Sequence, residues 1–440
     1  MWLNLAHVCR RWRAVMFASS SRLDLGITVE PQRPGHIKTI LSGHLPILIN
    51  YWLPTHYWRF YELEDITSNA LWRMRASLKH RDRVREISFG GWDVIFGEFI
   101  RATNHHFPAL QSLVLSFPCD HEPDIPATFL RGPEQSGLPL RRLRLYGASL
   151  ASVSGLLLSA TALTDLTLKF SSNAAGFDSS QRVSLLGCLQ GMQSLRNLNL
   201  DTPFNPQDSQ SHSTTKDIVP LLKLTHFHYS GSTILLNDLM SGLSAPSLRD
   251  ACFGFCARFP FLYLWRVIDD VREEFRSVSV TFGTEYFRLL SSTNSGKIDH
   301  FKPSFSFNAH CSSSLIINNN SPSTKLATVE ELALTFACPN ITRWEHAFSW
   351  REFLRQFRCV RVLRVNSFVR KVGLYLRQDE GIFPILEEIE LSISRLIRDS
   401  DEDHQRRAAE DLAAFEPFIS ARERAGRLVK VYQRDASLVS

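Results

Sequence analysis

One spacing of apolar residues returns about a dozen times along this chain, and nothing else in the sequence restricts the fold as strongly. The unit is an apolar residue, two variable residues, an apolar residue, one variable residue and a third apolar residue. Val84-x-x-Ile87-x-Phe89 opens the series. The cleanest copies are Leu110-x-x-Leu113-x-Leu115, Leu140-x-x-Leu143-x-Leu145, Leu163-x-x-Leu166-x-Leu168 and Leu195-x-x-Leu198-x-Leu200. Further copies begin at Leu224, Leu248, Phe275, Val329, Val360 and Leu386. The starts lie 26, 30, 23, 32, 29, 24, 27, 54, 31 and 26 residues apart. A degenerate copy, Lys302-x-x-Phe305-x-Phe307, divides the 54 into two steps of 27, with Pro303 at a poor strand position.

The last two apolar residues of each copy are two apart, so they point to one face of a short strand. One such strand cannot bury that face alone. Stacked in parallel, successive strands share one core, and each intervening segment returns on the outside. Residues 154–158, 181–189 and 344–357 carry apolar side chains at helical spacing and supply candidate return helices. Phe107-Pro108, Ala245-Pro246 and Phe383-Pro384 precede copies, where proline presets an extended lead-in. The period matches leucine-rich repeats. The expected fold is α/β, a leucine-rich-repeat solenoid with a curved parallel sheet and outer helices. It is expected over residues 81–395, after a connecting region and cap at 23–80 and before a helical cap and tail at 396–440. Residues 202–217 and 291–325 are polar and read as mobile surface insertions.

Residues 2–16 read as an amphipathic helix, with Leu5, Val8, Cys9, Trp12, Val15 and Met16 opposite Arg10, Arg11 and Arg13. A cap on the end of the solenoid would look the same, and a mitochondrial transit peptide shares the early arginines and late first acid, Asp24. Here the sequence resembles a family. Leu5-Ala6-His7-Val8-Cys9-Arg10-Arg11-Trp12-Arg13-Ala14-Val15 is similar to the C-terminal half of an F-box. Ser21–Ile27 and Ser42–Ile49 resemble segments that follow it in fungal F-box proteins. The motif's Leu-Pro opening and first helix do not precede it here, so the expectation is a partial F-box at residues 1–22, truncated at its N-terminus. The resemblance implies a substrate receptor of an SCF-type ubiquitin ligase. Leu5, Val8, Cys9, Trp12 and Val15 would then face a Skp-type adaptor, which joins a cullin scaffold, while the repeats hold a target protein. The alternative is an interaction scaffold with no ligase linkage.

No residue pattern argues for catalysis. The chain has no G-x-G-x-x-G after a strand, P-loop, H-E-x-x-H or G-x-S-x-G. Cys252 and Cys256 lack a second ligand pair for zinc, and His226 with His228 would be a two-ligand start only. The reading is therefore of a non-enzyme without cofactor or metal, and a monomer within its complex. Lys and Arg exceed Asp and Glu by only 6, without a basic block, so nucleic acid is not an expected partner. No apolar run of membrane-spanning length occurs, so no membrane is expected either. Eight scattered cysteines suit a reducing compartment, cytoplasm or nucleus.

Binding then falls to the variable strand positions, which alternate with the buried ones and line the inner wall. The candidate target-binding residues are Arg142, Arg144, Tyr146, Lys169, Asn197, Asn199, His226 and His228. Glu86, Ser112, Asp165, Asp201, Ser277, Glu331, Arg364, Glu388 and Glu390 belong to the same face.

Overall fold

The computed structural model describes residues 27–30, 45–52, 63–90, 93–117, 125–126, 128–130, 137–171, 179–202, 218–255, 267–282, 286–293, 303–311, 323–336, 350–366, 369–379, 381–394 and 401–436. The protein is α/β, and the chain divides into two compact units. Met1–Gln207 with Val219–Leu221 makes the first, and Asp208–Ile218 with Leu222–Ser440 the second. The residues that resemble an F-box, including Leu5, Val8, Cys9, Trp12 and Val15, lie outside the described residues.

The first unit holds strands β1 (Ile27–Val29), β2 (Ile47–Trp52), β3 (Val84–Gly90), β4 (Ser112–Ser116), β5 (Arg142–Ala148), β6 (Asp165–Phe170) and β7 (Asn197–Asp201). They lie side by side in chain order, every neighbouring pair parallel. Helices α1 (Leu63–Leu78), α2 (Asp93–Ala102), α3 (Leu150–Ser159) and α4 (Ser179–Gln190) fill connections between strands. Helix α3 starts where Ser149 caps it, its hydroxyl accepting from the N–H of Ser152 at 3.2 Å. It turns Leu150, Val153, Leu156 and Leu157 inward.

The spacing seen in the sequence becomes register. Ile87, Leu113, Leu143, Leu166 and Leu198 are consecutive partners across β3 to β7, and so are Phe89, Leu115, Leu145, Leu168 and Leu200. None of these ten is more than 1% exposed. Burial of each such side chain is worth roughly 1.5–3 kcal/mol. The first apolar residue of a copy closes a tight turn. The N–H of Leu110 donates to Phe107 at 3.2 Å, that of Leu163 to Ala160 at 3.4 Å and that of Leu195 to Met192 at 3.0 Å. The next residue then donates to its counterpart in the preceding copy: Gln111 to Arg85 at 2.8 Å, Arg141 to Gln111 at 2.9 Å, and Thr164 to Arg141 and Arg196 to Thr164 at 2.8 Å. The prolines therefore do not set an extended lead-in. Pro108, Pro246 and Pro384 each sit second in this turn, where a fixed φ suits the bend.

The second unit holds β8 (His226–Gly231), β9 (Asp250–Phe255), β10 (Ser277–Phe282), β11 (Tyr286–Ser292), β12 (Phe305–Cys311), β13 (Glu331–Phe336), β14 (Val362–Asn366), β15 (Glu388–Ser394) and β16 (Lys430–Ala436). Its helices are α5 (Thr233–Gly242), α6 (Trp350–Leu354), α7 (Val369–Gln378), α8 (Asp401–Ala413) and α9 (Glu416–Arg424). Here spatial order departs from chain order. The sequence runs β8-β9-β12-β11-β10-β13-β14-β15-β16. Strand β12 pairs with β9, β10 pairs with β13, and β11 lies between them, antiparallel to both its neighbours. The expectation of all-parallel stacking in chain order fails at these three strands. Residues 291–325 are likewise not all surface insertion, because they supply β12 and the end of β11. An aromatic series follows the spatial order: Phe227 to Phe253 at 5.5 Å, Phe253 to Phe307 at 5.1 Å, Phe307 to Phe287 at 6.2 Å and Phe287 to Phe282 at 5.2 Å.

The C-terminal segment is helical as far as α9 but ends in β16, parallel to β15. Arg422 of α9 is 4% exposed and ties the cap to the turn that leads into β15. It donates to the carbonyls of Pro384 at 2.7 Å, Ile382 at 3.0 Å and Phe383 at 2.5 Å, with its guanidinium 5.1 Å from the Phe418 ring. Gly373 lets α7 approach closely, since a Cβ there would stand 2.8 Å from the Ala414 carbonyl oxygen.

Candidate target-binding face

Alternation puts the residues between the buried pairs on the other face of each sheet. In the first unit these form three rows. Glu86, Ser112, Arg142, Asp165 and Asn197 are consecutive partners, as are Ser88, Val114, Arg144, Thr167 and Asn199. The third row is Trp52, Gly90, Ser116, Tyr146, Lys169 and Asp201. Six of the candidate residues, Arg142, Arg144, Tyr146, Lys169, Asn197 and Asn199, are thus brought together on one face.

Neighbouring charges on that face are matched. Arg142 Nη2 lies 2.5 Å from Glu86 Oε1, and the pair reaches over β4, which leaves Ser112 beneath it only 7% exposed. Ser112 is expected to be open on this face, and it is instead covered between the two bridged side chains. Lys169 Nζ lies 3.5 Å from Asp201 Oδ2. Asp165 accepts from Asn197 Nδ2, and from Thr164 Oγ1 at 2.6 Å. Each exposed pair contributes roughly 0.2–1 kcal/mol, so these contacts set side-chain positions more than stability. The Oδ1 of Asn199 is buried without a hydrogen-bond partner.

Trp52 and Gly90 belong to this face and escaped the sequence reading. Trp52 leans across Gly90 and Ser116 to meet Tyr146 edge-on, with ring centroids 6.2 Å apart. A Cβ at Gly90 would stand 3.2 Å from Trp52 Cε3, so the small residue makes room for the indole. The available signal was the alternation Ile47-x-Ile49-x-Tyr51 just before Trp52, which lacks the first apolar residue of a full copy.

In the second unit His226 and His228 are exposed on β8, with Thr225 Oγ1 2.9 Å from His226 Nδ1. Their partners on β9 are Asp250 and Cys252. Burial, with Asp250 adding to it, pushes the Cys252 thiol up, away from a reactive thiolate. Cys256 lies outside the described residues, and Cys188, Cys252 and Cys359 are free thiols. Among the described residues no group of three or more His, Cys, Asp or Glu is placed to hold a metal ion.

Further along, Arg364 lies between two carboxylates, 2.7 Å from Glu331 and 3.1 Å from Glu390. Their side chains are only 18%, 15% and 10% exposed, and Glu390 as a residue is 8% exposed. Burial alone would lower the Arg364 pKa, but the two carboxylates outweigh it and raise it. Glu390 therefore does not project freely as the alternation suggested, and neither does Ser277, at 4% exposure.

No helix among the described residues is long and apolar enough to cross a membrane. Compared with family models and with curated proteins, the sequence matches none.

Proposed function

We propose that this chain is a non-catalytic substrate receptor of an SCF-type ubiquitin ligase, a leucine-rich-repeat solenoid that holds a target protein on its strand face. The observation that carries the repeat half is the coincidence, copy after copy, of a buried apolar pair, a tight turn and a shared backbone hydrogen bond. The adaptor half rests on the string Val8-Cys9-Arg10-Arg11-Trp12-Arg13 and its resemblance to an F-box. In this reading residues 5–15 dock on a Skp-type adaptor and through it a cullin. The transfer chemistry belongs to other subunits, and the protein works in the cytoplasm or nucleus. The target face uses side chains of the anchoring types, Arg142, Arg144, Tyr146 and Trp52.

Affinity purification of the tagged full chain from the cells that make it tests the reading. Adaptor and cullin are expected to co-purify. Trp12→Ala should lose the adaptor and keep the target, while Arg142→Glu with Arg144→Glu should do the reverse. Recovery of targets with neither adaptor nor cullin would replace the ligase reading with that of an interaction scaffold.

A further inference from the structure

The charges on the first unit's strand face are engaged locally, with one exception. Glu86 holds Arg142, Asp201 holds Lys169, and Asp165 is engaged by Asn197 and Thr164. Arg144 is exposed, its strand partners are Val114 and Thr167, and it has no carboxylate at ion-pair distance among the described residues. Two residues along the same strand, Tyr146 meets Trp52, a residue 47% exposed. The floor under the two rings is Gly90 and Ser116, too small to cover them.

An open guanidinium presents a fork of donors that suits a carboxylate and binds it by charge-assisted hydrogen bonds. The neighbouring aromatic edge stays in contact with water until an apolar group covers it. Arg144 and Tyr146 are two apart on one strand, so their side chains point the same way about 7 Å apart. Residues i and i+2 of an extended peptide have the same spacing and direction. A phosphate backbone fits less well, because its run of negative charge needs several open cations, and Arg142 and Lys169 are already paired with Glu86 and Asp201.

We infer that this face takes an extended segment of the target, with one carboxylate on Arg144 and, two residues away, an apolar or aromatic side chain against Trp52 and Tyr146. The inference rests on the reading of this face as the target-binding surface.

Panning a random peptide display library on the full-length chain tests it. The wild type should enrich peptides in which Asp or Glu lies two positions from an apolar or aromatic residue. These peptides should bind Arg144→Glu and Trp52→Ala at least about tenfold more weakly. Panning on Arg144→Glu should turn the preference toward Lys and Arg. Both side chains are exposed, so an unchanged thermal midpoint identifies variants that have kept their fold. Enriched peptides without the carboxylate, peptides that bind Arg144→Glu as well as the wild type, or no enrichment at all would each overturn the inference. Adaptor capture is read separately. Peptides of this kind bound by a chain that recovers no adaptor would sink the ligase reading alone, and the opposite pattern would sink this one alone.

Discussion

At the scale of single residues, alternation along a strand decides which side chains are buried before any packing is considered. Arg142, Arg144, Tyr146 and Lys169 were legible for this reason, since each stands between or just beyond leucines at most 1% exposed. Ion pairs were not legible, because they depend on which strands become neighbours. Arg364 finds Glu331 and Glu390 at separations of 33 and 26 residues. Asp379 is the clearest case with a measurable consequence. Burial alone would raise its pKa. Hydrogen bonds from Arg351, the Gly381 N–H and Arg355 outweigh that and hold the carboxyl below its ordinary value. A carboxylate held low in the folded state adds stability above its unfolded pKa of about 4 and loses it as pH falls through the folded value. Asp379→Asn should therefore cost about 1 kcal/mol at neutral pH, with less difference from the wild type in acid. Urea unfolding at several pH values checks this. A gap that stays constant into acid would show that the two arginines do not set it.

At the scale of elements, the copies and most of their strands were readable, but the order of three strands was not. The pattern placed Phe275, Lys302 and Val329 one after another, as though each step moved one place along the sheet. It passed over a hairpin signal. Val278-x-Val280-x-Phe282 alternates, and the alternation resumes at Phe287-x-Leu289 after a short link that contains Gly283. That hairpin turns the chain back, which is why β12 reaches β9 and β10 reaches β13. Strand β16 was missed because Val429 and Val431 carry too little apolar pattern to declare it. The order can be tested through the native thiol of Cys252, whose partner on β12 is Asn308. Asn308→Cys should be joined to Cys252 by a short bis-methanethiosulfonate cross-linker, with the joined peptides identified by mass spectrometry. Ser279→Cys should not. The opposite result would restore stacking in chain order.

At the scale of the whole molecule, a stack of strands has two ends, and each exposes backbone groups that invite further pairing. In the second unit that end carries α8, α9 and β16, with Phe415 and Phe418 buried and Arg422 fastened to the turn before β15. The charge of Lys430, exposed on the last strand, discourages further addition. A chain ending at residue 394 should therefore self-associate, as read by sedimentation velocity. If it stays monomeric with an unchanged melting temperature, the cap does not seal the sheet. The proposed function rests on a resemblance, because a stacked core is compatible with many surfaces and a fold does not name a partner.

The candidate face exists only if successive strands lie in register, so that alternate residues of separate strands form one surface. Thr167 and Asn199 are direct partners on β6 and β7, whereas Val114 and Asn199 are three strands apart. Cysteines at 167 and 199, treated with the same short cross-linker, should be joined in high yield, and cysteines at 114 and 199 should not. Failure of the first pair, or equal yields from both, would contradict the stacked arrangement on which the candidate face is built.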